Sequence, residues 1–351
     1  MSLLRRRSSL LLAIVLSACG GSAPPAESPS EKAPPSAPTA SATVSATPSA
    51  AAVTPAPAPS STAPASEDPP LPTPSAPVVK LVDPGAEPRQ PLRYAFSKKP
   101  ETIQMDMRMA MALTMGDVAR PKTTMPTIRI RSEIKPVSVD KDGTLTATVE
   151  TKSVDVLSDA PLPKEIQDKL KKEMSGIVGL KGRTVVTSRG EAKEASIDVP
   201  KDAPPQAKKI VESLKDSLRD LSLPFPAEPV GKNAKWEVKS VVATQLTTAQ
   251  TTTYVIKELS GKALGLDVTL VQEAPPQKLE TPPGLPAGAT IHVDSHKANG
   301  AGSVKIALDR LTPTSTMKLS ARSQTTVTLG SEKQSAVSEL EMDLAVKPAG
   351  K

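Results

Sequence analysis

One stretch of this 351-residue chain places a row of thioethers on a single face. Ile103, Met105, Met107, Met109, Met111, Leu113 and Met115 alternate with Gln104, Asp106, Arg108, Ala110, Ala112 and Thr114. Strict alternation marks a β-strand with one buried face. Three kinds of chemistry are open to such a face. Thioethers are soft ligands that select Cu(I). Unbranched, polarizable side chains also suit a surface that adapts to an apolar ligand, and they pack an ordinary dry core equally well. Met105, Met107, Met109, Met111 and Met115 are therefore candidate lining residues of an apolar cavity.

The two histidines of the chain sit close together in His292-Val293-Asp294-Ser295-His296. On a regular strand His292, Asp294 and His296 would share a face in steps of about 7 Å. Imidazoles flanking a carboxylate are a candidate Zn²⁺ set or a pH-responsive cluster. The plain alternative is a polar, solvent-facing row, since Ile291 and Val293 point the other way. Motifs of known enzymes fail one by one. Ser315-Thr316-Met317-Lys318 matches S-x-x-K, but the S-D-N and K-T-G partners of that motif are absent. Gly231-Lys232 and Gly261-Lys262 lack the rest of a phosphate loop. G-x-S-x-G and H-E-x-x-H do not occur, so no catalytic residue and no cofactor are expected.

The single cysteine is Cys19, within Leu16-Ser17-Ala18-Cys19-Gly20. Arg5, Arg6 and Arg7 precede an apolar run, Leu10–Leu16, that is half the length a membrane span needs. This arrangement resembles the lipobox of bacterial lipoproteins. The resemblance implies removal of residues 1–18 and acylation of Cys19. Each buried CH₂ contributes about 0.8 kcal/mol, so two or three chains anchor firmly where one does not. An ordinary secretory signal is the alternative; it would leave an unpaired thiol in an exported protein.

Residues 19–77 form a tether. From Gly20 to Pro77 the chain is almost entirely Ala, Pro, Ser and Thr, a composition that cannot bury enough apolar surface to offset its ordering entropy. A folded domain is predicted over 78–351, with possible halves 78–226 and 227–351. Its core must rest on aliphatic residues and methionine. Only Tyr94, Phe96, Phe225, Trp236 and Tyr254 are aromatic, and one cysteine permits no internal disulfide. Loss of the three arginines lowers the formal charge from +7 to +4. Lysines and acids are interspersed, with no basic stripe, so nucleic acid is not an expected partner.

The predicted class is mainly β, with long, curved antiparallel strands and one or two covering helices in a half-barrel-like arrangement. Leu92–Phe96 reads as a first strand, and Asp142-Gly143 as a type I′ hairpin turn. The segment from Thr290 reads as two strands, Thr290–His296 and Val304–Leu308, with a turn at Asn299-Gly300. Amphipathic helices are predicted over Pro163–Met174 and Pro204–Leu221.

The layout of lipobox, Ala/Pro-rich tether and β-rich domain resembles uncharacterised lipoproteins of Gram-negative soil bacteria, particularly myxobacteria. The long strands look like the curled half-barrels of envelope lipid carriers. The resemblance implies a non-enzymatic protein held at the outer membrane through Cys19, binding an apolar ligand or lipid. The alternative is a scaffold that holds a partner protein at the membrane.

Overall fold

The computed structural model describes residues 68–73, 75–160, 162–198, 222–243, 246–280, 286 and 288–349. The signal segment, Cys19, most of the tether and the helix predicted over Pro204–Leu221 lie outside them. The fold is mainly β. Strands β1 (Ser75–Asp83), β2 (Glu101–Met115), β3 (Val118–Ala119), β4 (Thr123–Thr124), β5 (Ile128–Val139) and β6 (Leu145–Val156) precede helix α1 (Lys164–Ser175). Then follow β7 (Lys181–Val186), β8 (Ala192–Ile197), β9 (Lys235–Ala243), β10 (Thr247–Ser260), β11 (Ala263–Ala274) and β12 (Gln277–Leu279). The last three, β13 (Thr290–Ala307), β14 (Thr314–Leu329) and β15 (Glu332–Pro348), are 18, 16 and 17 residues long.

All strands belong to one antiparallel sheet, ordered β1-β9-β10-β11-β13-β14-β15-β2-β5-β6-β7-β8. The short β3 and β4 pair with β2, and β12 pairs with β13. The sheet is open. Among the described residues its edges are β1, which contains Pro77, and the six-residue β8, which exposes Lys193 and Glu194. Strands from 78–226 and 227–351 interleave, β1 on β9 and β2 on β15.

One cluster of buried side chains unites the two wings of the sheet. Ile256, Leu264, Leu266, Val304 and Ile306 from one wing meet Ile134, Leu145, Val149 and Val186 from the other. Between them run two non-strand segments carrying Tyr94, Phe96 and Phe225, which meet Trp236 of β9 and Tyr254 of β10. Phe96 stacks on Tyr94, Tyr94 on Phe225, Phe225 meets Trp236 edge-on, and Trp236 stacks on Tyr254. Phe225 and Trp236 are wholly buried. In a chain with five aromatic rings, this concentration makes them the anchor of the core.

Four sequence expectations change. Leu92–Phe96 is not a strand but a strap across the wings: Tyr94 N–H donates to Ser188 O, and Ala95 N–H to Leu308 O. Its backbone groups are satisfied by both wings rather than by a ladder. Asp142-Gly143 closes a longer loop. Gly143 N–H donates to Asp140 O, Asp140 N–H to Thr144 O, and only Gly143 has positive φ (79°). A type I′ turn needs positive φ at both central residues, so this is a three-residue loop ending in a left-handed glycine. Asn299-Gly300 is not a turn, because β13 runs straight through it, paired with β11 and β14. Helix α1 forms where predicted but is no cover: it lies by β6, buries none of its residues, and leaves Ile166 exposed.

Candidate functional site

The cross-strand register defines an inner face, the one that carries the core. On β2 it holds Ile103, Met105, Met107, Met109, Met111, Leu113 and Met115, opposite Val346, Leu344, Met342, Leu340, Ser338 and Ala336 of β15. The next strand adds Met317, Leu319 and Ala321, and β13 adds Gly302, Gly300 and Ala298. On β11 the same rows reach Val268 and Leu270. The methionine alternation thus faces the core side and continues into apolar rows on four further strands.

These rows differ from the core in burial. Met105, Met107, Met109, Met111 and Met115 are half-buried, as are Leu340, Met342, Leu344, Met317 and Leu319. Ile103 and Met317, at the core end of these strands, pack in or against the buried cluster, while the side chains farther along keep part of their surface accessible. The five methionines line an open apolar face rather than a fully packed interior.

The inner face also excludes cations. From β9, through the inner-facing residues of β10, β11, β13, β14 and β15, to β2, it carries no Lys or Arg among the described residues, and its carboxylates lie only at strand ends, Glu332 opposite Leu329 and Glu101 opposite Ile134. The outer face holds the other charges. Arg322 pairs with Glu339, Lys318 with Asp343, Lys297 with Glu273, and Lys257 with Asp267. This segregation follows from the cost of burying an unpaired charge.

His292, Asp294 and His296 do not form one site. A β-bulge lies between Val293 and Ser295, with His292 opposite Thr326 but His296 opposite Ser323. One extra residue flips everything beyond it to the other face. Asp294 turns outward, bonded to His292 Nδ1 at 2.8 Å and accepting from Thr326 Oγ1 at 2.8 Å. His296 turns inward, its Nδ1 2.7 Å from Ser323 Oγ. Burial there holds its imidazole below the ordinary histidine range. Among the described residues no cluster of three or more His, Cys, Asp or Glu could hold a metal ion.

The inward flip creates something the sequence pattern hid, a band of uncharged polar groups across the inner face. Gln272 Nε2 donates to Gln250 Oε1 at 2.6 Å, and Gln250 Nε2 to Thr252 Oγ1 at 3.4 Å. His296, Ser323 and Ser338 form the adjacent row, one step farther along the strands, and widen the band. A bulge cannot be read from Asp294-Ser295; only the apolar periodicity of β13 on both sides of it, Ile291 and Val293 then Ala298, betrays the phase change.

On the outer face a groove of about 700 Å³ is lined by Asp106, Arg108, Arg129, Asp159, Lys318 and Asp343 among others. Its polar groups are largely committed to one another. Arg129 Nε and Nη2 bond the two oxygens of Asp106 at 2.7 and 3.0 Å, which holds that carboxyl below its usual range. Asp159 accepts from the N–H and hydroxyl of Thr127. Self-satisfied charges explain how the strands hold together there, and they leave the inner face as the stronger candidate surface. No family model and no curated protein sequence matches the chain, so this assignment rests on geometry alone.

Proposed function

We propose that the protein is a non-enzymatic, lipid-anchored envelope protein that holds an apolar ligand against its inner face. The observation that carries the reading is the charge-free, half-buried field of methionine and leucine on β2, β14 and β15. An ordinary core would be covered. A field of apolar side chains larger than a few hundred Å² left partly open is the signature of a binding surface. Methionine lets that surface adjust to an occupant of variable shape. Anchoring through acyl chains on Cys19 places the face near its source of apolar molecules.

The test uses the mature chain, residues 19–351, carrying Cys19→Ser so that no detergent is needed. The uncharged probe N-phenyl-1-naphthylamine should gain fluorescence on mixing and be displaced by acyl compounds. Met109→Trp should reduce uptake at least tenfold while the chain stays folded. A chain that takes up no apolar probe, and that unfolds on Met109→Trp because a dry core is overpacked, would replace the carrier with a scaffold for a partner protein.

A further inference from the structure

We infer that the inner face selects acyl amphiphiles with an uncharged, hydrogen-bonding head, of the glyceride type, over free fatty acids and phosphate-headed lipids. The inference rests on the carrier reading above and adds to it the chemistry of the head.

The position of the polar band carries the argument. Below it, toward the core, lie successive apolar rows such as Met109–Met342–Leu319–Gly300–Leu270. Beyond it the face turns apolar again: Ile291, Val293 and Ala336 are buried to within 7%. The band is therefore not the rim of the sheet, where a charged head could reach water. It is enclosed on the face between two apolar zones. From His296 to Gly302 the strand rises about 20 Å, room for a long acyl chain alongside it.

The groups in the band are of one kind. Gln250, Gln272, His296, Ser323 and Ser338 are all able to hydrogen-bond and none carries fixed charge, and Thr252, one row nearer the core, accepts from Gln250. The imidazole is held neutral by its burial, with Ser323 as its partner. Amide and hydroxyl groups can donate to and accept from ester and hydroxyl oxygens. A carboxylate or phosphate laid here would find no cation, because every lysine and arginine of these strands is on the outer face. Desolvating an unpaired charge is more costly than desolvating a hydroxyl that finds partners. The absence of inner cations is thus a filter against anions, built by exclusion as much as by contact.

Competition with bound N-phenyl-1-naphthylamine reads the selection directly on mature Cys19→Ser protein at pH 8. Monoolein should displace the probe at a concentration at least tenfold below that needed for oleate or lyso-phosphatidic acid, all used below their aggregation concentrations. Gln272→Leu and His296→Leu should bring monoolein and oleate within about twofold of each other, since about one hydrogen bond is lost in each. His296→Lys should favour oleate instead. Urea midpoints near wild type certify that the variants fold; if either leucine variant is unfolded, His296→Asn and Gln272→Met replace them. Equal displacement by monoolein and oleate in wild type, or a preference untouched by all these changes, overturns the head-group filter and leaves the carrier reading standing. Failure of every acyl compound to displace the probe overturns both.

Discussion

Phe225→Ala should be among the most damaging single changes in this protein. The ring is fully buried, stacked on Tyr94 with centroids 4.8 Å apart, and set edge-on to Trp236 at 6.5 Å. It bridges the strap and the strand that starts the opposite wing. Truncating a buried Phe to Ala costs about 3–5 kcal/mol. Two aromatic partners lose their contacts at once, which places the change at the upper end, about 4–5 kcal/mol. Against a total stability of about 5–15 kcal/mol this is roughly a quarter or more. With a urea m-value near 3 kcal/mol/M, the midpoint should fall by about 1.5 M. Trp236 is the only tryptophan, so its fluorescence follows the transition without interference. Circular dichroism should show the same midpoint if the sheet melts with the core. Tyr94→Phe should cost less, about 1–3 kcal/mol, because the Tyr94 hydroxyl donates to Leu223 O and accepts from Leu223 N–H, and both backbone groups would be left buried and unpaired. A Phe225→Ala midpoint within about 0.3 M of wild type would refute the reasoning. It would mean that the segment around Phe225 does not join the wings.

Other changes test other parts of the structure. Gly302→Ala should cost about 1–3 kcal/mol in urea titrations, because its Cβ would lie 2.0 Å from the carbonyl oxygen of Thr316. Met109→Asp should lower the thermal midpoint by several degrees, since it puts a carboxylate with no cation in reach among apolar side chains, whereas Arg108→Met on the outer face should leave it nearly unchanged. Acid should destabilise in two windows. The lowered pKa of His296 means that its neutral form supports the fold fully above about pH 6.5, and that support is lost as pH falls from there through the folded value. The lowered pKa of Asp106, set first by its bond to Arg129, gives stability present above about pH 4 that is lost below it; thermal scans of His296→Gln and Asp106→Asn should each flatten one window. Zinc should not raise the thermal midpoint, because His292 and His296 lie on opposite faces; a rise of several degrees abolished by His292→Ala would contradict the bulge.

The sheet was legible in the sequence wherever burial of one face enforced a strict period. The methionine strand and the helix before β7 lie within a few residues of where the pattern puts them. What escaped the pattern has physical causes. Leu92–Phe96 is apolar and extended like a strand, yet a single segment cannot announce that it will bond two wings at once. Asn299-Gly300 has turn chemistry, but pairing on both sides overrides it, and Gly300 and Gly302 serve the inner face rather than a bend. The histidine pair failed as a metal set because one bulged residue shifts the phase. Period-2 reasoning has no way to count that residue in advance. The cation-free inner face was within reach, since each strand shows it; assembling it required the register.

The open sheet has a consequence for how such molecules coexist. Strand edges are templates: unpaired N–H and C=O groups recruit another strand, and long flat ladders recruit well. A chain anchored as proposed above would meet its own copies at high local density, where recruitment would grow into filaments. Both described edges are built against that outcome. Pro77 removes a donor from β1, and a register shift between Ser75 and Val78 kinks the same stretch. On the opposite edge β8 is short and places Lys193 beside Glu194, so an incoming strand would have to meet charges of both signs. Colloidal safety, rather than closure into a barrel, is what these few edge residues supply. The sheet can stay open without becoming adhesive.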